Sequence, residues 1–322
     1  MPLRTHLALL TAGLAAATCL TAAGPAQAAS HACSPSVSID RFSDALDKTA
    51  YDDTFVGNLS ALAVDRDGSL AALSDRSSLF RLDARTLGPR SVTPLADETG
   101  AALDSEGLVV DRDGTYLVTS ETEPSVRRYS RTGEILDRLP VPDDLRVSPA
   151  GRGQPNGTFE GLTLLPGGRT LVASMEYALA GDPADTVRFQ TWTRHGSHFR
   201  PAARYTYRTD PGLGVPEIQA TPDGRLLVLE RGFTAGVGNT VRLYLADPRH
   251  AMRETLLTDL VTCPSLGATA RQPQPNPLLD NIEGMTITGR TRSTLKVLLV
   301  SDDNQNAAQT TRFYSLRVRA RP

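Results

Sequence analysis

The sequence predicts an all-β fold, a single β-propeller, from three observations. A unit of strand, glycine turn and strand recurs five times, a further apolar strand follows each unit, and no segment sustains a helical period. The units begin at Ser60, Glu106, Glu160, Glu217 and Glu283, 46 to 66 residues apart. Such spacing suits propeller blades with variable loops, because helical solenoids repeat at shorter and steadier periods.

The chain opens outside that pattern. A basic start at Met1 to Arg4 precedes an Ala/Leu-rich run over residues 7–23, and Ala26-Gln27-Ala28 supplies a small-x-small cleavage pattern. Residues 1–28 therefore read as a signal peptide, and residues 29–322 as one domain. The apolar run is shorter than a membrane span and no second one follows, so a secreted, soluble chain with no membrane partner after cleavage is expected. Cys19, in Ala-Ala-Thr-Cys, makes a poor lipoprotein signal.

Beyond the leader, residues 37–42 form a strand candidate able to close a five-bladed ring. The alternative is a degenerate sixth blade, and both counts stay open. The turns within the units are Asp-Gly or Gly-Gly, which favour tight hairpins because glycine accepts positive φ. Third strands are expected over 78–82, 126–129, 187–192, 241–245 and 312–318. Fourth strands are expected over 135–139, 203–207 and 255–257. The Asp-Arg-Asp-Gly stretches ending at Gly68 and Gly114 lack the downstream glutamate of an EF-hand and read as hairpin tips on the far face.

Two cysteines remain after processing, Cys33 and Cys263, and in an exported chain they are expected to pair. Loss of Arg4 leaves 33 basic residues against 36 acidic, which gives no surplus for neutralising phosphates and argues against a nucleic-acid partner. The sequence gives no signal for an oligomer, so a monomer is expected.

The recurrent acids carry the functional signal. In a propeller the first strand of each blade lines the channel and the second returns to the same face. Glu106, Glu160, Glu217 and Glu283 should therefore share a rim with Asp75, Glu121, Glu176, Glu230, Asp302 and Asp303. So many carboxylates repel unless cations compensate, and hard oxygen donors suit Ca²⁺ better than zinc. The four glutamates are the catalytic candidates, all ten acids are metal-ligand candidates, and Arg76 and Arg231 are candidates for holding a substrate anion. Simple pairing of those arginines with the neighbouring Asp75 and Glu230 is the plainer alternative. Gly-x-Ser-x-Gly and His-Glu-x-x-His are absent, and His195-x-x-His198 falls in an outer loop.

At these residues the chain resembles a family of secreted bacterial proteins, the phytase-like domain called "esterase-like activity of phytase". The resemblance rests on Leu103-Asp-Ser-Glu-Gly-Leu, Phe159-Glu-Gly-Leu-Thr-Leu-Leu-Pro-Gly-Gly, Leu227-Val-Leu-Glu-Arg, Leu278-Leu-Asp-Asn-Ile-Glu-Gly-Met and Leu299-Val-Ser-Asp-Asp-Asn. It implies a propeller that hydrolyses phosphoesters or carboxylic esters, with clustered carboxylates holding Ca²⁺ against a small anionic or ester substrate. Two other readings remain open: a non-catalytic, calcium-stabilised propeller that binds an extracellular ligand, and a lactonase-like hydrolase.

Overall fold

A computed structural model describes residues 31–319 of the chain; the expected signal peptide lies outside them. The described residues form five four-stranded antiparallel blades. Blade I comprises Leu59–Val64, Leu70–Ser74, Ser78–Leu82 and Pro89–Pro94, and blade II comprises Ser105–Val110, Tyr116–Ser120, Ser125–Tyr129 and Ile135–Leu139. Blade III comprises Phe159–Leu164, Thr170–Met175, Thr186–His195 and His198–Arg208, and blade IV comprises Gly214–Ala220, Leu226–Thr234, Gly238–Asp247 and Arg253–Asp259.

Blade V takes Ile282–Arg290, Leu295–Ser301 and Phe313–Val318 from the end of the chain and its outer strand, Val37–Ser43, from the beginning. Of the two blade counts left open, five is the one formed, and the early strand candidate is the ring closure. The first strands of successive blades adjoin, and Ile282–Arg290 meets Leu59–Val64 to complete the circle. A short hairpin, Thr49–Tyr51 with Thr54–Val56, bridges from the closing strand into blade I.

Apolar alternation builds the core between blades rather than at a single centre. The largest apolar cluster joins blades II, III and IV around Phe159, Phe189 and Trp192. Phe159 meets the Trp192 ring edge-on at 5.8 Å, and the indole N–H donates to the Pro140 carbonyl at 2.7 Å. On the far face, the Asp-Arg-Asp-Gly turns form as expected, but their first aspartates are buried rather than presented at exposed tips. Asp65 accepts from the guanidinium of Arg131 at 2.6 and 3.0 Å, which ties blade I to blade II. Asp111 accepts from Arg194 at 2.6 Å and from Arg128 at 2.8 Å, which ties blade II to blade III. Burial alone would raise both carboxyls, yet hydrogen bonds from Arg131 and Arg194 hold them below their ordinary range.

Three links fasten the ring closure. The closing strand pairs with Phe313–Val318, buried Arg312 makes a two-point contact with Asp44 at 2.6 and 2.8 Å, and Cys33 is disulfide-bonded to Cys263. The disulfide closes a loop with a sequence separation of 230. By the chain-entropy argument, Cys33→Ser should lower unfolding stability by roughly 2–5 kcal/mol. Urea denaturation measures this loss, and an unchanged midpoint would show that strand pairing and Arg312 suffice without it.

Candidate functional site

All five inner strands carry a β-bulge at the same level: Leu59/Ala61, Ser105/Leu108, Phe159/Leu162, Gly214/Glu217 and Ile282/Gly284. A bulge re-aims the side chain it carries. In blades II, III and V that side chain is Glu106, Glu160 or Glu283, and it points into a cavity of about 480 Å³ at the channel mouth. The glycine after each glutamate has a packing reason. A Cβ at Gly161 would lie 2.6 Å from the Ile218 nitrogen, and one at Gly107 would strike the Glu160 carbonyl oxygen, so only glycine lets neighbouring inner strands approach this closely.

Blade IV departs from the sequence expectation by one residue. Glu106 and Glu160 stand eight residues before the turn glycines Gly114 and Gly168, and the residue eight before Gly224 is Pro216. Glu217 thus takes the position of Gly107 and Gly161. A shift of one residue along a strand turns a side chain to the other face. Its carboxylate is buried among the inner strands, where it accepts backbone N–H from Leu162 at 3.2 Å and Ile218 at 2.9 Å, and from Met285 as well.

The second strand shows the same offset. The position held by Asp75, Glu121, Glu176 and Asp302 is filled in blade IV by Arg231. Glu230 faces away from the cavity and accepts from the Tyr207 hydroxyl at 2.7 Å and the Asp210 N–H at 2.9 Å. Asp303, one residue past Asp302, is paired with Lys48 and accepts the Asn58 N–H at 3.0 Å. The shared rim expected of Glu217, Glu230 and Asp303 is therefore corrected: none of the three lines the acidic cavity.

The remaining candidates do converge. Asp75, Arg76, Glu106, Glu121, Glu160, Glu176, Arg231, Glu283 and Asp302 all line the cavity. Two carboxylate triplets each have ligand oxygens within 4.8 Å of one another: Asp104, Glu106 and Glu121, then Glu121, Glu160 and Glu176. Glu121 belongs to both. Among the described residues, neither the Glu106 nor the Glu160 carboxylate receives a hydrogen bond or pairs with an arginine. Burial pushes both well above the ordinary carboxylate range, and so does repulsion, chiefly from Glu283 on Glu106 and from Glu106 on Glu160. Glu121 is pushed to about 7 by burial and then by Glu176. Burial raises Glu283 to about 7 against the pull of Arg231, and raises Asp75 to about 6 against Arg76.

Arg231 is the one largely buried cation of the cavity, its side chain 15% exposed. It lies 3.0 Å from Glu176 and 3.2 Å from Glu283, and it donates to the Asn281 side-chain oxygen at 2.7 Å. Arg76 is two-thirds exposed, with its Nε 3.4 Å from Asp75. The donor set is entirely oxygen, with no histidine or thiolate, and Glu106 and Glu160 are buried beside other acids with no arginine partner among the described residues. That chemistry fits a hard divalent cation such as Ca²⁺.

Sequence reading missed Asp104, Asn156, Tyr177, Asn281 and Asn304, which also line the cavity. Asp104 and Asn281 each stand two residues before a bulge glutamate, a spacing of 2 that places side chains on one face of extended chain. That repeated offset was the available signal. The others come from loops that carry no periodic mark.

Residues 54–305 match the model of a family named Phytase-like and described as esterase-like activity of phytase. An uncharacterized secreted protein of the fungus Arthroderma benhamiae is 28% identical over 181 residues, covering 42% of this chain and 35% of the fungal one, so the match spans about a third of that relative. Among solved structures, a gluconolactonase from Xanthomonas campestris is 16% identical with a TM-score of 0.44, covering 79% of this chain and 71% of its own. A virginiamycin B lyase from Staphylococcus aureus is 10% identical with a TM-score of 0.40, covering 83% of this chain and 82% of its own.

Proposed function

We propose, on the premise that the chain belongs to the phytase-like family, described as esterase-like activity of phytase, that it is a secreted Ca²⁺-dependent hydrolase of phosphoesters or carboxylic esters. One observation carries the reading: two carboxylate triplets, buried except for half-buried Asp104, share Glu121 at the mouth of the ring, in a cavity whose one largely buried cation is Arg231. Secretion is supported by the leader pattern, by the Cys33–Cys263 disulfide and by the description of the fungal relative as secreted. Among the described residues no helix is long and apolar enough to cross a membrane.

Asp104, Glu106, Glu121, Glu160 and Glu176 are the residues that would hold the cation. When bound, Ca²⁺ supplies Lewis-acid polarisation and a template for the substrate anion. The chain's own residues supply the rest. Arg231, fixed by Glu176, Glu283 and Asn281, presents a preorganised guanidinium to a phosphate or carboxylate. Arg76 is exposed enough at the mouth to fold over the same anion.

Asp75 suits the role of general base. It lies outside both triplets, its raised carboxyl near 6 is matched to proton transfer around neutral pH, and its buried Oδ1 receives no hydrogen bond. In that role it takes a proton from the attacking water. The test is a panel of phosphate and carboxylic esters assayed before and after chelation. Turnover should fall by at least about tenfold with EDTA and return with Ca²⁺. Turnover indifferent to EDTA would overturn the cation dependence. A chelation-induced drop in melting temperature with no ester turned over would favour the non-catalytic, calcium-stabilised propeller.

A further inference from the structure

The far face of blade V carries a feature the acidic cavity does not explain. A groove of about 580 Å³ runs between the N-terminal segment, from Ala32 to Ser38, and the end of blade V, lined by Lys296, Arg317 and Arg319. Lys296 and Arg317 sit directly opposite each other on paired strands, and Arg317 in turn faces Ser38 on the closing strand. Like charges directly opposite destabilise a sheet, so the fold tolerates a cost here. Arg317 and Arg319 are two residues apart on exposed positions and project from the same face, roughly 7 Å apart by strand geometry, with Lys296 about 5 Å across. Arg290 and Arg292, exposed on the adjoining hairpin, extend the patch.

Compensation is sparse. Arg317 donates to Asp40 at 2.8 Å and Asp223 lines the surface beside Arg290 and Arg292, whereas Lys296 and Arg319 form no ion pair among the described residues. The whole chain, by contrast, carries a net charge of −2. A cationic strip of this density on an otherwise acidic protein is a concentrated electrostatic footprint.

We infer that this groove is a docking site for an extended phosphate-bearing polymer outside the cell, held by Lys296, Arg317 and Arg319. An extended chain fits because the site is a trough between two strand ends. Phosphate fits because arginine engages its oxygens in pairs and the cations repeat at a spacing of a few ångströms. The acidic cavity opens on the opposite mouth, so a chain docked here leaves the catalytic candidates free.

Inorganic polyphosphate labelled at one end is the probe, and metal-free protein followed by fluorescence anisotropy is the assay. Wild type should bind in 50 mM salt and weaken by at least about tenfold in 200 mM salt, as counterion release requires. Lys296→Gln and Arg319→Gln, both at exposed positions, should each weaken binding by about three- to tenfold without lowering the melting temperature. Glu121→Gln, in the cavity, should leave binding unchanged. Absence of polyphosphate binding at 50 mM salt, or wild-type binding by both groove variants, would overturn the assignment. Poly-glutamate binding as tightly as polyphosphate would overturn the phosphate class.

Discussion

Glu121→Gln should weaken the response of this protein to Ca²⁺ by about 100-fold while making the metal-free form more stable. The two effects have one origin. Glu121 belongs to both carboxylate triplets, so the substitution removes a negative donor from each. Losing one charged partner from a buried cluster costs on the order of 3 kcal/mol, which is about 100-fold in affinity. Without metal the same charge is a liability. Burial and the neighbouring Glu176 and Asp104 push Glu121 to about 7, so at pH 7.5 it is held ionised against its surroundings. Glutamine keeps the shape and retains an oxygen for the Thr158 N–H, which Glu121 accepts at 3.3 Å. Isothermal titration should show weakened Ca²⁺ binding, and calorimetry of the metal-free variant should show a raised melting temperature. Glu230→Gln is the control. Its carboxylate faces Tyr207 and Asp210, so the Ca²⁺ response should survive. A Glu121→Gln protein that binds Ca²⁺ like wild type would remove the basis for the metal centre.

The contrast between Glu121 and Glu230 also shows how far the sequence could be read. Four-stranded blades, the closing strand and the disulfide follow from local patterns: apolar runs bounded by turn glycines, a spare early strand and two surviving cysteines. The site required a register, and register in a strand has a period of 2, so an error of one residue reverses the answer. Aligning blade IV on its glutamate placed Glu217 and Glu230 in the cavity; aligning it on Gly224 puts Pro216 at the glutamate position of the other blades and brings Arg231 into the cavity. The turn is the better anchor because its backbone conformation is fixed by φ, 87° at Gly224 and 88° at Gly114, whereas an acidic side chain is tolerated on either face. The gain from the correct register is chemical. Four blades give the cavity its acids and the fourth in chain order gives it a cation, so the mouth is polarised rather than uniformly negative. Asn156 and Tyr177 stayed hidden because loop positions follow from tertiary packing, which no spacing in the chain records.

Metal-free protein should be most stable near pH 5 and lose several kcal/mol by pH 8, the reverse of the usual behaviour of a carboxylate-rich chain. Glu121 and Glu283 are raised to about 7 and Asp75 to about 6, in each case first by burial. For an acid whose folded pKa exceeds its unfolded value, the folded state holds a proton that the unfolded state has already released. Stability is then fully present below the unfolded value, about 4, and drains away as pH climbs through the folded value. A tenfold gain in proton affinity on folding corresponds to about 1.4 kcal/mol, so Glu121 alone accounts for roughly 3 kcal/mol. Asp65 and Asp111 act in the opposite sense: their lowered carboxyls lose stability only as pH falls below about 4, which sets the acid limb of the curve. For a domain of this size, several kcal/mol corresponds to a fall of about 10 °C in melting temperature between pH 5 and pH 8. Saturating Ca²⁺ should erase most of that fall at pH 8 and do little at pH 5, where protons already neutralise the cluster. Calorimetric scans across this range, with and without Ca²⁺, measure both. A flat metal-free profile from pH 5 to pH 8 would mean that the cavity acids are relieved by something other than protons or a divalent cation, and the cluster would then be no metal centre.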